Sequence, residues 1–141
     1  MKTIIIDDEL LNIKNLEIIL QENFSQICVQ ASFQNVQSAF EYINQYAVDL
    51  VFLDIQMPLQ DGFDLLELFP ERSFQVVFVT AHEEFAIKAL RAGATDYIFG
   101  GMDAVFYQTD LAMNTSEDSN DTCYITAAQQ STGRGYLMYE C

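Results

Sequence analysis

Basic residues are scarce in this 141-residue chain: 6 Lys and Arg stand against 21 Asp and Glu, for a net charge of −15. An electrostatic grip on nucleic acid or an anionic membrane needs the opposite balance, so no direct nucleic-acid or membrane partner is expected. Basic proteins and divalent cations are the natural partners instead. Cysteine is sparse too. Cys28, Cys123 and Cys141 show no CxxC spacing, which argues against a disulfide framework and a zinc site. Cys28 reads as a small core residue and the other two as incidental thiols. Long apolar runs are missing, and the opening MKTIIIDDELL is too short in apolar residues for a signal peptide or a membrane span. The expected compartment is the cytoplasm. No internal repeat is visible.

Half of the residues are nonetheless hydrophobic, enough for one domain with a real core. The rest of the chain is organised around residues 49–62, DLVFLDIQMPLQDG. Leu50, Val51, Phe52 and Leu53 form a short apolar run, as a strand buried on both faces would. It stops on Asp54. Met57-Pro58 cannot continue a ladder, and Gly62 supplies a turn before the next periodic segment. Taken alone, Asp54 is an ordinary solvated residue at a strand end.

Taken in order, Lys2–Ile6 is a second short β-branched run, and it also ends on acids, Asp7-Asp8-Glu9. Leu10, Ile13, Leu16 (or Leu11), Ile19 and Leu20 then recur at helical spacing up to about Asn23. Residues 27–33 place Ile27, Val29, Ala31 and Phe33 on one parity, as a half-buried edge strand would. Val36, Ala39, Phe40, Ile43 and Tyr46 return to the helical period. After Gly62 a short helix closes at Pro70, and FQVVFV at 74–79 is a continuous apolar strand ending on Thr80-Ala81. A helix with Glu83 and Glu84 in its first turn and Arg91 in its last precedes Gly93. Residues 94–99 are a fifth strand candidate.

Four β-α repeats and a fifth strand predict an α/β fold, a doubly wound five-stranded parallel sheet joined by right-handed crossovers. Residues 101–141 differ in character. They hold 6 acids and one base. A ragged apolar stripe over 104–114 is compatible with a substitute fifth helix. TSEDSNDT at 115–122 reads as a linker, and the remainder as a loose hairpin or a disordered end.

Ligands of open parallel sheets bind beyond the carboxyl ends of the strands, where strand order reverses. In the common order 2-1-3-4-5 that place lies between the first and third strands, which end at Asp7-Asp8 and at Asp54. Thr80 ends the adjacent fourth strand. Three carboxylates so gathered need a counter-charge. A hard divalent cation such as Mg²⁺ supplies it and shares its shell with phosphate. An Asp oxygen beside that metal can attack phosphorus, and Thr80 is placed to donate to a phosphoryl oxygen.

The acidic pair Asp7-Asp8, DIQMPLQDG around Asp54, the Thr80-Ala81 pair and GATDY at 93–97 together resemble the receiver domains of two-component response regulators. The match runs over about residues 2–99, and the family has a flavodoxin-like fold. TAHEEFAIKAL is similar to receivers attached to LytTR-type domains. The resemblance implies that Asp54 accepts a phosphoryl group from a histidine kinase. It implies Mg²⁺ on Asp7, Asp8, Asp54 and the Gln56 backbone carbonyl, a Thr80–Tyr97 switch, and an output or homodimer face on the fourth helix and fifth strand.

The chain also departs from the family. Gly100 and Gly101 stand where its Lys and cis-bonded Pro are expected, so the catalytic Lys is absent from its usual place and signal transmission should suffer. The 41 residues of 101–141 are too few for a LytTR output domain, and the abrupt change at residue 100 reads as a junction with foreign sequence. The leading expectation is a phosphoacceptor module with no enzymatic role beyond phosphoryl transfer and hydrolysis at its own Asp54. The alternative is a pseudo-receiver used as a constitutive docking or dimerisation surface. A Mg²⁺-dependent phosphohydrolase is disfavoured, because Gln56 stands where a second acid would be needed and His82 reads as a surface residue opening the fourth helix.

Overall fold

The protein is described here by a computed structural model covering residues 1–99, 124–129 and 135–140. The chain runs β1 (Lys2–Ile6), α1 (Leu10–Asn23), β2 (Cys28–Phe33), α2 (Val36–Gln45), β3 (Leu50–Leu53), α3 (Gly62–Leu68), β4 (Gln75–Thr80), α4 (Ala86–Arg91) and β5 (Asp96–Phe99). The five strands form one parallel sheet, as the alternation predicted, and their order β2-β1-β3-β4-β5 is the common one taken for the site. A further antiparallel pair joins β6 (Tyr124–Gln129) to β7 (Gly135–Glu140). The helix considered over 104–114 lies outside the described residues.

Side-chain alternation divides the strands between two cores. Ile4, Ile6, Val51, Leu53, Val76 and Phe78 point to one face, where Val36 and Ala39 of α2, Phe63, Leu65 and Leu66 of α3 and Ala89 of α4 cover them. Ile5, Leu50, Phe52, Val77, Val79 and Ile98 point to the other, under Ile13, Leu16 and Leu20 of α1. Both faces of β1, β3 and β4 are therefore dry, which is why those strands read as continuous apolar runs. β2 lies at the edge and is only half buried.

Several local expectations are corrected. Cys28 is exposed at the start of the edge strand, and the single parity expected over 27–33 is broken: a register shift in the β1–β2 ladder between Thr3 and Ile4 sets Val29 against the α1-side core and Ala31 and Phe33 against the other. The Cys28 Sγ accepts a hydrogen bond from Gln30 at 3.0 Å. Leu10 and Tyr46 also lie largely in solvent, because each stands at a helix end where the covered stripe has run out. The acidic segment before α4 is a 3-10 turn over Glu83–Phe85, and the α-helix begins only at Ala86.

The turn between β3 and α3 contains the one described non-glycine residue with positive φ, Leu59 at 73°, and its side chain is fully exposed. A left-handed conformation is costly for a side chain that packs on nothing. Leu59→Gly is expected to raise stability by about 0.5–1 kcal/mol, read as a higher denaturant midpoint at unchanged slope. An unchanged or lower midpoint would show that this turn relaxes in solution.

Candidate functional site

Strand order builds the site. β1 and β3 are neighbours whose connections leave in opposite directions, so a crevice opens above their carboxyl ends. Ladder bonding continues one residue past each strand: the Asp7 N–H donates to the Phe33 carbonyl at 3.0 Å and the Asp54 N–H to the Ile6 carbonyl at 2.8 Å. Both acidic residues are thus held by the sheet's own backbone. Carboxylate oxygens of Asp7, Asp8 and Asp54 lie within 4.8 Å of one another. They line a cavity of about 190 Å³ together with Glu9, Asn12, Gln56, Val79, Thr80, Ala81 and His82. At about 30 Å³ per water, that is room for several water-sized groups.

Asp7 is the most buried of the three. One oxygen accepts from the Glu9 N–H at 2.8 Å and from the Asn12 amide at 3.5 Å. Burial nevertheless pushes its carboxyl up to about 6, with the neighbouring Asp54 and Asp8 charges adding to the shift. Burial also raises Asp54, reinforced by Asp8 and opposed by bonds from the Ile55 N–H, the Thr80 hydroxyl and the Gln56 N–H. The Ile55 bond measures 2.8 Å. Crowded, half-desolvated carboxylates without a counter-charge are a hard-cation donor set, and the residues present fit a divalent ion.

Thr80 is buried at the end of β4. Its hydroxyl donates to Asp54 and accepts the His82 N–H at 3.3 Å. Tyr97 lies half-buried on β5 with its ring against Phe78, and its hydroxyl donates to the His82 carbonyl. Tyr97 does not line the cavity. It reaches the site only through the backbone that follows Thr80.

The β3–α3 turn is closed by Gly62, whose N–H donates to the Ile55 carbonyl at 2.9 Å. Asp61 caps α3, its side chain accepting from the Phe63 and Asp64 N–H groups, while Asp64 accepts from the Asp61 N–H at 2.7 Å. A Cβ on Gly62 would stand 2.5 Å from the Asp54 carbonyl oxygen and 3.0 Å from the Phe78 ring. The sequence reading saw a turn here and missed the close approach.

Asn12 and Glu9 were also missed, although a polar residue in the first turn of a helix leaving an acidic strand end was the available signal. His82, expected at the surface, has its side chain 36% exposed and also lines the acidic cavity; it precedes the 3-10 turn and does not open the α-helix. Asp96 opens β5 with its carboxyl pushed up to about 6 by burial; one oxygen accepts the Tyr97 N–H and the other has no hydrogen-bond partner among the described residues. Gly100 lies outside the described residues. No helix among the described residues is long and apolar enough to cross a membrane.

Comparison with known proteins places these features. The transcriptional regulatory protein BtsR of Shigella flexneri is 35% identical over 133 residues, covering 93% of this chain and 55% of its own length. Such an alignment runs past residue 99 into 101–141, and the chain spans about half the length of the curated relatives it matches. Among solved structures, the response regulatory domain of mrkE from Klebsiella pneumoniae is 32% identical, with TM-score 0.66 over 77% of this chain and 85% of that one. The CheX-CheY-BeF3-Mg+2 complex from Borrelia burgdorferi matches at 25% identity and TM-score 0.62, over 71% of this chain and 78% of that one. The response regulator receiver domain family matches residues 3–104, and with its fold and acidic crevice in place the chain belongs to that family.

Proposed function

We propose that this chain is a phosphoacceptor module: Asp54 takes a phosphoryl group from a histidine kinase, and Asp7, Asp8, Asp54 and the Gln56 backbone carbonyl hold Mg²⁺. The observation that carries the proposal is the convergence of three carboxylates at the β1–β3 crevice with a buried Thr80 hydroxyl on Asp54. When bound, the metal neutralises carboxylate charge and draws phosphoryl oxygens into the crevice. The chain's own groups do the rest. Bonds from Ile55, Gln56 and Thr80 orient Asp54, and its free oxygen lone pair is the nucleophile.

Thr80 and Tyr97 form the switch in this reading. The Thr80 hydroxyl exchanges Asp54 for a phosphoryl oxygen, and because the His82 backbone bonds both side chains, any shift of Thr80 reaches the Tyr97 ring. Loss of Lys at Gly100 weakens that exchange. Residues 1–100 act as the receiver, with 101–141 as an acidic appendage of separate character. The module works in the cytoplasm without binding nucleic acid or membrane itself, meets its kinase and any second copy through protein surfaces, and turns over no external substrate beyond its phosphodonor. Among those surfaces, Ile87 and Leu90 of α4 are exposed and suit self-association through the α4–β5 face.

Incubation with acetyl phosphate and Mg²⁺ tests the proposal. The intact mass should rise by one phosphoryl group, mapped to Asp54, and the gain should vanish in EDTA or in Asp54→Asn. Absence of any Asp54-dependent gain would leave a docking module as the only reading of the fold.

A further inference from the structure

A second cavity, of about 350 Å³, lies between α3 and α4 and shares no lining residue with the acidic crevice. That volume falls within the range of small-molecule sites. Phe63 and Leu66, core residues of α3, give it apolar walls together with Pro70 and Ala92.

Its charge runs against that of the chain. Lys88 and Arg72, two of the six basic residues in a chain of net charge −15, line it with a single acid, Glu67. Neither base forms an ion pair among the described residues. Lys88 Nζ stands 4.0 Å from the centroid of the Phe63 ring, which holds the ammonium against an apolar wall without neutralising it. The half-buried Arg72 guanidinium donates to the Phe69 and Ala92 carbonyls, neutral acceptors at the ends of α3 and α4. Further N–H groups of its fork remain for a ligand. Gly93, at φ 77°, makes room for that side chain, since a Cβ there would stand 2.9 Å from Arg72 Nη2. Two bases against one acid leave a positive cleft that a monovalent anion balances.

We propose that the α3–α4 cleft binds a small organic carboxylate, with its apolar body on Phe63, Leu66, Pro70 and Ala92 and its charge shared by Lys88 and Arg72. At about 30 Å³ per water-sized group, the space suits roughly ten non-hydrogen atoms. The other occupants fit less well. The chain's own acidic run at 115–122 brings no aliphatic or aromatic side chain for these walls, and a second copy of so acidic a chain approaches against its own charge. Binding here goes beyond the phosphoacceptor reading and does not depend on it.

The test is a titration of the full chain with 3-phenylpropionate, followed by backbone amide NMR shifts. Saturable shifts are expected at residues 63–72 and 88–93, with the weak affinity normal for so small a ligand. Its neutral counterpart, 3-phenylpropanamide, should bind at least about fivefold more weakly. Lys88 is exposed, so it can be replaced without disturbing the core. Lys88→Gln should weaken the carboxylate about three- to tenfold, and Lys88→Arg should keep most of the affinity. Absence of saturable shifts in the cleft overturns the proposal, as does equal binding of the acid and the amide. Unchanged affinity in Lys88→Gln overturns it too. Shifts at the same residues that follow protein concentration without ligand would place a second copy in the cleft and overturn it as well.

Discussion

Gly62→Ala is expected to destabilise the protein by about 2–4 kcal/mol, a large effect for the addition of one methyl group. The new Cβ would stand 2.5 Å from the Asp54 carbonyl oxygen and 3.1 Å from the Leu53 side chain. Neither neighbour has room to yield. The Asp54 backbone is held to β1 by its bond to the Ile6 carbonyl, and Leu53 and the Phe78 ring, at 3.0 Å, are wholly buried. Strain therefore passes into the β3–α3 turn, where the Gly62–Ile55 bond and the Asp61 cap stand. Chemical denaturation measures the loss of stability. Labelling of Asp54 should fall with it, at a temperature where the variant is still folded, because the carboxylate shifts with its own backbone. A midpoint within about 0.5 kcal/mol of the parent would mean that the turn opens freely and that Gly62 is there only as a turn former.

The second large effect depends on the metal. Asp7→Asn is expected to stabilise the metal-free protein at pH 7.5 and to lose most or all of that advantage over the parent in saturating Mg²⁺. The Asp7 carboxyl stands at about 6 when folded against 3.8 for the ordinary group, so between those values the folded state binds more protons than the unfolded one. Stability from this group is fully present below about 4 and is lost as pH rises through 6. At neutral pH the folded chain carries an ionisation cost of about 1–3 kcal/mol. Asparagine keeps the acceptor for the Glu9 N–H and removes that cost. Metal-free Asp7→Asn should therefore melt higher than the parent at pH 7.5, and the two should converge near pH 4. Asp96, also raised to about 6, and the net charge of −15 add pH dependence of the same sign to both proteins, so only the difference between them reports on Asp7. Mg²⁺ at a hundredfold excess over its dissociation constant would add about 2.7 kcal/mol to the parent and much less to the variant. Equal responses to Mg²⁺ would remove Asp7 from the ligand set.

The order of elements was legible because burial on both faces leaves an unbroken apolar run. Leu50–Leu53 and Gln75–Thr80 have that run, and helices with one covered face keep their three- and four-residue spacing. Cys28, Leu10 and Tyr46 were misread where periodicity carries least information, at an edge strand and at helix ends. The acidic segment before Ala86 was misread for another reason: a 3-10 turn and an α-helix share composition, and only the path of the backbone separates them.

Sequence by itself determined that acids terminate two strands and a threonine a third, because strand ends are marked by where apolar residues stop. With an assumed strand order it also determined that these ends meet. Tertiary structure decided what composition cannot express: that Asp7 is the buried carboxylate, that Gly62 closely approaches the Asp54 carbonyl, and that His82 lines the acidic crevice with its backbone joining Thr80 to Tyr97. Each depends on the path of the folded backbone and on distances that residue order does not fix. Burial, close approach and field strength are properties of that packing, whereas the order of residues constrains only which neighbours along the chain can share a face.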